Sequence, residues 1–548
     1  MNHVYIFVTA LFSALILVPV LCRWGLETGK VDKPDARKVH SKAVPRLGGI
    51  AIFLAFLCTM LLYVEMSREV RGLLAGGVVI FLTGLLDDLH GLSARSKFIG
   101  QLGGCLLAAT IGNLWITRLG DLFGLGTIEL PLSLAVPFTL FATVGLINAM
   151  NLIDGLDGLA GGISAVALGA LLVLANQDGN LPAVALSVGL LGALLGFLKY
   201  NFFPARIFMG DAGSLTVGYL LAFLAIMLTQ TAGSTVSPVL PVLILGLPIV
   251  DTVWVMSRRM LAGTSPFVAD RTHVHHQFLD LGLQHRFTVI VIYSISFFWA
   301  LASLFWRDRP DWWLLTVYLL VSATLYLVMR YVSRHRERFG LFSKDSSVGL
   351  RKTTTYLRLA ALADHTCLPI AVAAFVYLGL TALFIAAAGG FFWQLNGLIC
   401  LCAFALLFLT RDAINPFLLA MVYVAGLVLT LQLERQGGFS LGAGWSLGRV
   451  SDLLFVTLSV LLTVKIAFRR DGDFFISAAD LLFFGLSLFF MFLLGEDQSL
   501  QGSPEVLLKG VLFYVALKLT AARSRRMATV LVVGVLGALL TVTLRGWL

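Results

Sequence analysis

The chain has 548 residues, of which 58% are hydrophobic and 13% charged, whereas a soluble domain carries roughly 25% charged residues. That composition excludes a soluble globular protein and leaves a polytopic membrane protein built from spans of about 20 apolar residues. The net charge of +10 lies in short loops between apolar runs, so it marks membrane topology rather than a nucleic-acid partner.

The first apolar run, Val4 to Cys22, has no Lys or Arg before it and basic residues after it, the reverse of a cleavable signal peptide. It is expected to stay as the first span, with its N-terminus outside. Residues 30–46 follow, with six Lys/Arg against two Asp, the signature of a cytoplasmic loop. Apolar runs at 47–64, 72–87, 97–116, 132–150, 158–175, 181–198, 213–229, 238–257, 287–306 and 312–330 complete eleven spans. Alternation places 87–97, 148–158, 199–211 and 258–286 on the cytoplasmic side, where nearly all the polar residues of this half gather. The opposite loops, 118–129 and 176–180, are near neutral or acidic, which supports the same alternation.

A second basic stretch, Arg330 to Lys352, holds seven Lys/Arg against two acids and is the best domain boundary. Beyond it come seven more apolar runs: 367–388, 391–410, 416–433, 451–467, 474–494, 505–521 and 527–546. The expectation is an all-α, polytopic helical bundle of about 18 membrane helices. It divides into a membrane domain over 1–330, a basic linker over 331–366 and a membrane extension over 367–548. In that extension Lys465, Asp480 and Lys518 read as helix-end residues whose charges snorkel to the surface. The six cysteines, Cys22, Cys58, Cys105, Cys367, Cys400 and Cys402, show no C-x-x-C spacing and read as packing residues.

Four polar segments carry the candidate chemistry. The first, DDLHGLSARSK, ends the third span with Asp87 and Asp88. Adjacent carboxylates at a membrane boundary repel and lose hydration, so they call for a cation or a proton, unless they are simply solvated loop acids. Lys97, ten residues on, suits a phosphate as a point charge or a snorkelling role equally well.

The second segment, NAMNLIDGLDGLAGG, repeats Asn148, Asn151, Asp154 and Asp157 every three residues. On a helix that spacing makes a polar stripe, and Gly155 and Gly158 let the backbone break or approach a ligand. Oxygen ligands of this kind suit a hard cation bridging phosphates. The alternative is polar pairing between helices.

In the third segment, Gly210-Asp211-Ala212-Gly213-Ser214 leads straight into a span. A helix N-terminus there offers free N–H groups to an anion, and Asp211 offers a metal ligand, although the same residues also suit a plain N-cap. The fourth segment, DRTHVHH, brings Arg271, His273, His275 and His276 together. These suit phosphate or uracil oxygens better than zinc, because the H-x₃-H face and cysteine partners of a zinc site are missing; the alternative is a surface histidine run with no role.

In this order and on one membrane face, DDLHGLSARSK, NAMNLIDGLDGLAGG, FMGDAGS and DRTHVHH resemble the polyprenyl-phosphate N-acetylhexosamine-1-phosphate transferases, glycosyltransferase family 4. The loop VDKPDARKVHSKAVPRLGGIA is typical of the members that use N-acetylglucosamine, and the resemblance covers about residues 1–330. It implies transfer of a sugar 1-phosphate from a UDP-N-acetylhexosamine to undecaprenyl phosphate, with release of UMP. It also implies Mg²⁺, with Mn²⁺ as a substitute, and a bacterial inner-membrane enzyme working on the cytoplasmic face. Membrane lipids are its expected surroundings, a homodimer is compatible with it, and nucleic acid has no place in it.

By motif match, Asp87 or Asp88 would deprotonate and orient the lipid phosphate, and Asp211 would ligate the metal with one of that pair, Asp88 being the first choice. Asn151, Asp154 and Asp157 would hold the nucleotide and the metal shell, with Asn148 beside them. Lys97 would meet a phosphate, and Arg271, His273, His275 and His276 the diphosphate or sugar.

The run His273-Val274-His275-His276 departs from the three consecutive histidines of the phospho-N-acetylmuramoyl-pentapeptide transferase. The departure favours a plain UDP-N-acetylhexosamine over UDP-MurNAc-pentapeptide, with UDP-GlcNAc the default donor and UDP-QuiNAc or UDP-FucNAc next. An ion-coupled transporter is the alternative from another class, but transporter acids lie near mid-membrane. Here they gather at span ends.

Overall fold

The computed structural model describes residues 3–32, 43–261, 263, 273–335, most of 363–467, a few residues between 478 and 486, and nearly all of 504–545. Arg271, most of the 331–366 linker and most of the 474–494 run lie outside the described residues. The chain divides into two compact units, Met1–Phe342 and Ser343–Leu548. Among the described residues, eleven helices are long and apolar enough to cross a membrane. In hydrocarbon every backbone N–H and C=O must be paired within its own segment, and a helix does that without a partner.

In the first unit the long helices are α1 (His3–Glu27), α2 (Gly48–Tyr63), α3 (Arg68–His90), α4 (Ala94–Gly112), α5 (Leu132–Ile153), α6 (Leu159–Gln177), α7 (Leu181–Asn201) and α8 (Gly210–Gln230). Then come α9 (Val239–Ile244), α10 (Gly246–Leu261), the short α11 (Val274–Asp280), α12 (His285–Phe305) and α13 (Asp311–Arg334). Helices α6, α7 and α8 are apolar on all sides and almost wholly buried, and so form the centre of the unit. Around them α1 packs on α7, α3 on both α4 and α8, and α5 on α8.

The run 238–257, expected as one span, is two helices broken at Leu245. Pro248 explains the break, since it has no N–H to give to the carbonyl four residues earlier. A two-stranded pair joins β1 (Val31–Asp32) to β2 (Val44–Pro45), and a second joins β3 (Arg118–Gly120) to β4 (Ile128–Glu129). The chain after β2 is stitched to the approach to α8: Phe208 N–H donates to Pro45 O, while Gly48 and Gly49 N–H donate to Phe208 O and Met209 O.

The second unit contains α14 (Cys367–Phe384), α15 (Phe391–Thr410), α16 (Pro416–Glu434), α17 (Leu447–Ala467), α18 (Pro504–Arg523) and α19 (Arg525–Arg545), with a small pair of β5 (Ser440–Gly442) and β6 (Trp445–Ser446). Lys465 does not snorkel. Its side chain is buried and its ammonium lies 2.6 Å from Asp364, because a charge that cannot reach water needs an opposite charge beside it. Lys509 is likewise buried, 2.6 Å from both Glu434 and Asp452. Asp480 lies outside the described residues. Of the cysteines, Cys105, Cys400 and Cys402 are buried and Cys58 is exposed.

Candidate active site

Four helix ends meet at one end of the first unit: the C-terminal ends of α3 and α5 and the N-terminal ends of α4 and α8. The meeting point is Lys97. Its ammonium lies 2.9 Å from Asp87 Oδ2 and 2.8 Å from Asp211 Oδ2, the latter 114 positions away in the chain. Lys97 sits in the first turn of α4, whose N-terminus is capped by Ser93 accepting from Ser96 N–H. Asp87 Oδ1 accepts the Leu92 N–H at 2.6 Å, which folds the α3–α4 connection back onto its own helix end.

Asp88, on the same helix, turns elsewhere. Its two oxygens accept the N–H groups of Asp211 at 3.0 Å and Ala212 at 2.8 Å. A carboxylate from α3 thus caps α8 from outside, satisfying donors that the helix start leaves free and meeting the positive end of its dipole. Gly210 makes this possible. Its φ is +70°, and a Cβ there would stand 2.6 Å from Asp88 Oδ2 and 2.8 Å from Arg46 O. Asp88, expected from sequence to share a metal with Asp211, here faces the backbone N–H groups at the start of α8. Asp211 shares Lys97 with Asp87.

The four-residue polar stripe is divided. Helix α5 ends at Ile153, so Asn148 and Asn151 lie on it while Asp154 and Asp157 lie in the turn beyond. Asn151 donates to Asp211 Oδ1 at 3.1 Å and to Ser214 Oγ at 2.8 Å, which fixes the direction of Asp211. Asn148 instead donates 2.9 Å to Gln101 Oε1 on α4, the helix-to-helix alternative. Asp157 Oδ2 accepts the Ala205 N–H at 2.9 Å, and Gly158 N–H donates to Asn201 Oδ1. Asp157 therefore holds the turn to the α7–α8 connection, not to the carboxylates at Lys97. Burial, with the carboxylates of Asp211 and Asp88 adding to it, pushes the Asp154 carboxyl up to about 7.

The histidine segment docks against this turn. A Cβ on Gly155 would lie 2.3 Å from His275 Nε2, so only glycine admits the imidazole. His275 is buried, its Nδ1 has no hydrogen-bond partner, and burial with its neighbouring histidines pushes it down to about 3. It is a neutral ring at ordinary pH. The rings of His275 and His276 lie 4.2 Å apart, and those of His273 and His275 are stacked at 6.0 Å.

Composition and spacing did not single out Asp251, which binds His273 Nδ1 at 2.7 Å, or Tyr326, whose hydroxyl donates to Asp251. The available signal was an acid inside an apolar run, which in hydrocarbon is costly and marks function. Arg46, from the basic loop before α2, pairs with Asp32 at 3.0 Å, and its carbonyl lies beside Gly210.

Among the described residues no three of His, Cys, Asp or Glu converge closely enough to hold a metal alone. Mg²⁺ does not require such a cage, since it is usually held by one or two carboxylates together with waters and substrate phosphates. Asp87 and Asp211 already present one oxygen each to a shared cation, Lys97. With Asp88 and Asp154 nearby, their hard-oxygen, electron-rich surroundings fit a divalent ion.

A family model described as glycosyl transferase family 4 matches residues 70–229, which include Asp87, Asp88, Lys97, the 148–158 segment and Asp211. A probable undecaprenyl-phosphate N-acetylglucosaminyl 1-phosphate transferase of Bacillus subtilis (strain 168) is 35% identical over 345 residues, covering 62% of this chain and 94% of the relative. A decaprenyl-phosphate N-acetylglucosaminephosphotransferase of Mycobacterium tuberculosis (strain ATCC 25618 / H37Rv) is 36% identical over 315 residues, 51% of this chain and 77% of the relative. An undecaprenyl-phosphate alpha-N-acetylglucosaminyl 1-phosphate transferase of Escherichia coli (strain K12) is 30% identical over 332 residues, 57% and 89% respectively.

Proposed function

This chain belongs to glycosyl transferase family 4, and on that footing we propose that it transfers N-acetylglucosamine 1-phosphate from UDP-N-acetylglucosamine to undecaprenyl phosphate, releasing UMP. The reaction runs at the cytoplasmic face of a bacterial inner membrane. The observation that carries this reading is the meeting of Asp87 and Asp211 at one ammonium, with all three side chains partly open to solvent. Phosphate groups that repel one another need such a place to come together.

In the reaction an oxygen of the lipid phosphate bonds to the β-phosphorus, and the bond from that phosphorus to the bridging oxygen breaks. UMP leaves with the bridging oxygen. Asp87 and Asp211 would hold Mg²⁺, which when bound offsets phosphate charge and favours in-line displacement. Lys97 keeps a positive charge where the phosphates approach. Asp88 acts through the backbone, fixing the start of α8 and hence Asp211, while Asn151 fixes the direction of its carboxylate. Asp154, at about 7, is suited to exchange a proton with a phosphate monoester, whose second ionisation lies near 6. His275, being neutral, contributes shape and hydrogen bonding rather than charge.

The test uses purified full-length protein, undecaprenyl phosphate, Mg²⁺ and a panel of labelled donors: UDP-GlcNAc, UDP-QuiNAc, UDP-FucNAc and UDP-MurNAc-pentapeptide. Lipid-linked GlcNAc diphosphate and stoichiometric UMP are expected from the first. Product from another donor alone would overturn the choice of sugar, and no lipid product from any donor would overturn the transferase reading.

A further inference from the structure

The histidine segment is held by a carboxylate to which the transfer reaction described above gives no part. Asp251, on α10, has a side chain 2% exposed, and that of His273 is 6% exposed. Asp251 Oδ2 lies 2.7 Å from His273 Nδ1. Its Oδ1 accepts the Val274 N–H at 2.8 Å and the Tyr326 hydroxyl at 2.9 Å. Three elements therefore converge on one buried carboxylate: α10, the start of α11, and α13.

A carboxylate that accepts the Val274 N–H and the Tyr326 hydroxyl is matched by a hydrogen on the ring nitrogen facing it. His273 is thereby set as the Nδ1–H form, and Nε2 is the nitrogen left to meet another molecule. The bond from Val274 N–H to the same carboxylate fixes the backbone next to the ring, so its position is determined as well as its tautomer. The segment is in turn seated against the Asp154 turn through His275 and Gly155.

We propose that Asp251, braced by Tyr326, is a positioning residue for the transfer reaction: it fixes the tautomer and placement of His273 so that Nε2 engages the diphosphate or sugar of the donor. This rests on the transferase reading above. Asp251 touches neither substrate nor metal in this scheme, and its effect passes wholly through the histidine.

Asp251→Asn tests it with little change of shape. The carboxamide oxygen can still accept from Val274 and Tyr326, while its NH₂ faces His273 Nδ1 and selects the opposite tautomer. A fall of about 10- to 100-fold in kcat/KM for UDP-GlcNAc is expected, the range seen when a partner that orients a functional histidine is lost. His273→Ala should lose at least as much, and the double variant no more than His273→Ala alone to within about threefold. Losses that multiply would overturn the proposal, because a merely structural Asp251 would act independently of the ring.

If Asp251→Asn does not fold, Tyr326→Phe serves in the same cycle, with a smaller loss that must also vanish in the His273→Ala background. The ¹⁵N shifts of labelled histidine give a readout independent of turnover: Nδ1–H in the parent protein and Nε2–H in Asp251→Asn. An Nε2–H ring in the parent protein overturns the proposal even if no transfer is observed, whereas an inactive parent protein with an Nδ1–H ring counts against the transferase reading alone.

Discussion

Lys97 stands between Asp87 and Asp211, its ammonium 2.9 Å from one carboxylate and 2.8 Å from the other. All three side chains are partly open to solvent, so the arrangement is reachable by a substrate and is more than a sealed structural ion pair. Replacing Lys97 with Met leaves two carboxylates facing each other without an intervening charge. A fall in kcat on the order of 100-fold is expected, comparable to removing one preorganised donor at a developing charge. The same change should enlarge the rise in melting temperature caused by adding Mg²⁺, since the vacated position favours a cation. A variant with near-normal turnover, or one that responds to Mg²⁺ no more than the parent, would refute this role.

Asp88 and Asp211 are predicted to fail in different ways. Asp88 accepts two backbone N–H groups at the start of α8, so Asp88→Ala removes a cap and should cost about 0.5–2 kcal/mol of stability as well as activity. Asp211→Ala removes a carboxylate from a crowded acidic group and should abolish turnover with little or no loss of melting temperature. Thermal unfolding followed beside the transfer assay separates the two. An Asp88→Ala protein as stable as the parent would contradict the capping role.

Asp154 gives the unliganded protein a pH dependence of definite sign. Its folded-state carboxyl is raised to about 7, above the value of about 4 expected in an unfolded chain. The folded state therefore favours the proton. The stability this contributes is complete below about pH 4 and is lost as pH rises through about 7. Without metal, the melting temperature should fall between about pH 5 and pH 8 more steeply in the parent than in Asp154→Asn. Mg²⁺ should restore part of the loss at the alkaline end, because a bound cation replaces the proton. Equal slopes in parent and variant would show that Asp154 is not the titrating group.

The polar segments were legible because ionisable groups are costly in an apolar chain and so stand out at span ends. What each acid does there was not. Adjacent residues on a helix point about 100° apart, so Asp87 and Asp88 can take different partners, as they do here, and spacing alone does not say which meets Lys97. Asn148 and Asn151 look alike in sequence, yet one pairs with Gln101 and the other with Asp211, because their partners arrive on different helices. The same holds for Asp251. Its partners His273 and Tyr326 lie 22 and 75 residues away, so its place inside an apolar run marks it as costly without showing what it binds. The histidine run was visible as a cluster, but its anchor was not.

Every described residue of the candidate site falls within Met1–Phe342. A chain ending after Phe342 is therefore expected to retain donor and lipid specificity, with kcat within about tenfold of the full chain. Loss of all activity from a folded truncated protein would show that the second unit contributes to the chemistry.

The second unit carries its own test in Lys509, whose side chain is 9% exposed and lies 2.6 Å from Glu434, itself 11% exposed. Ser451 donates to the other Glu434 oxygen and Asp452 lies 2.6 Å from the same ammonium, so α16, α17 and α18 are tied at one point. Removing one partner of a buried pair leaves the other charged and unsolvated, which costs about 3–5 kcal/mol, whereas removing both is often neutral. Lys509→Met should therefore destabilise this unit strongly, and adding Glu434→Gln should recover most of the loss. Protease resistance of the 343–548 region, followed against temperature, measures both. If the double variant is no better than Lys509→Met alone, the damage comes from packing of the lysine stem rather than from the stranded carboxylate, and the pair is not what joins the three helices.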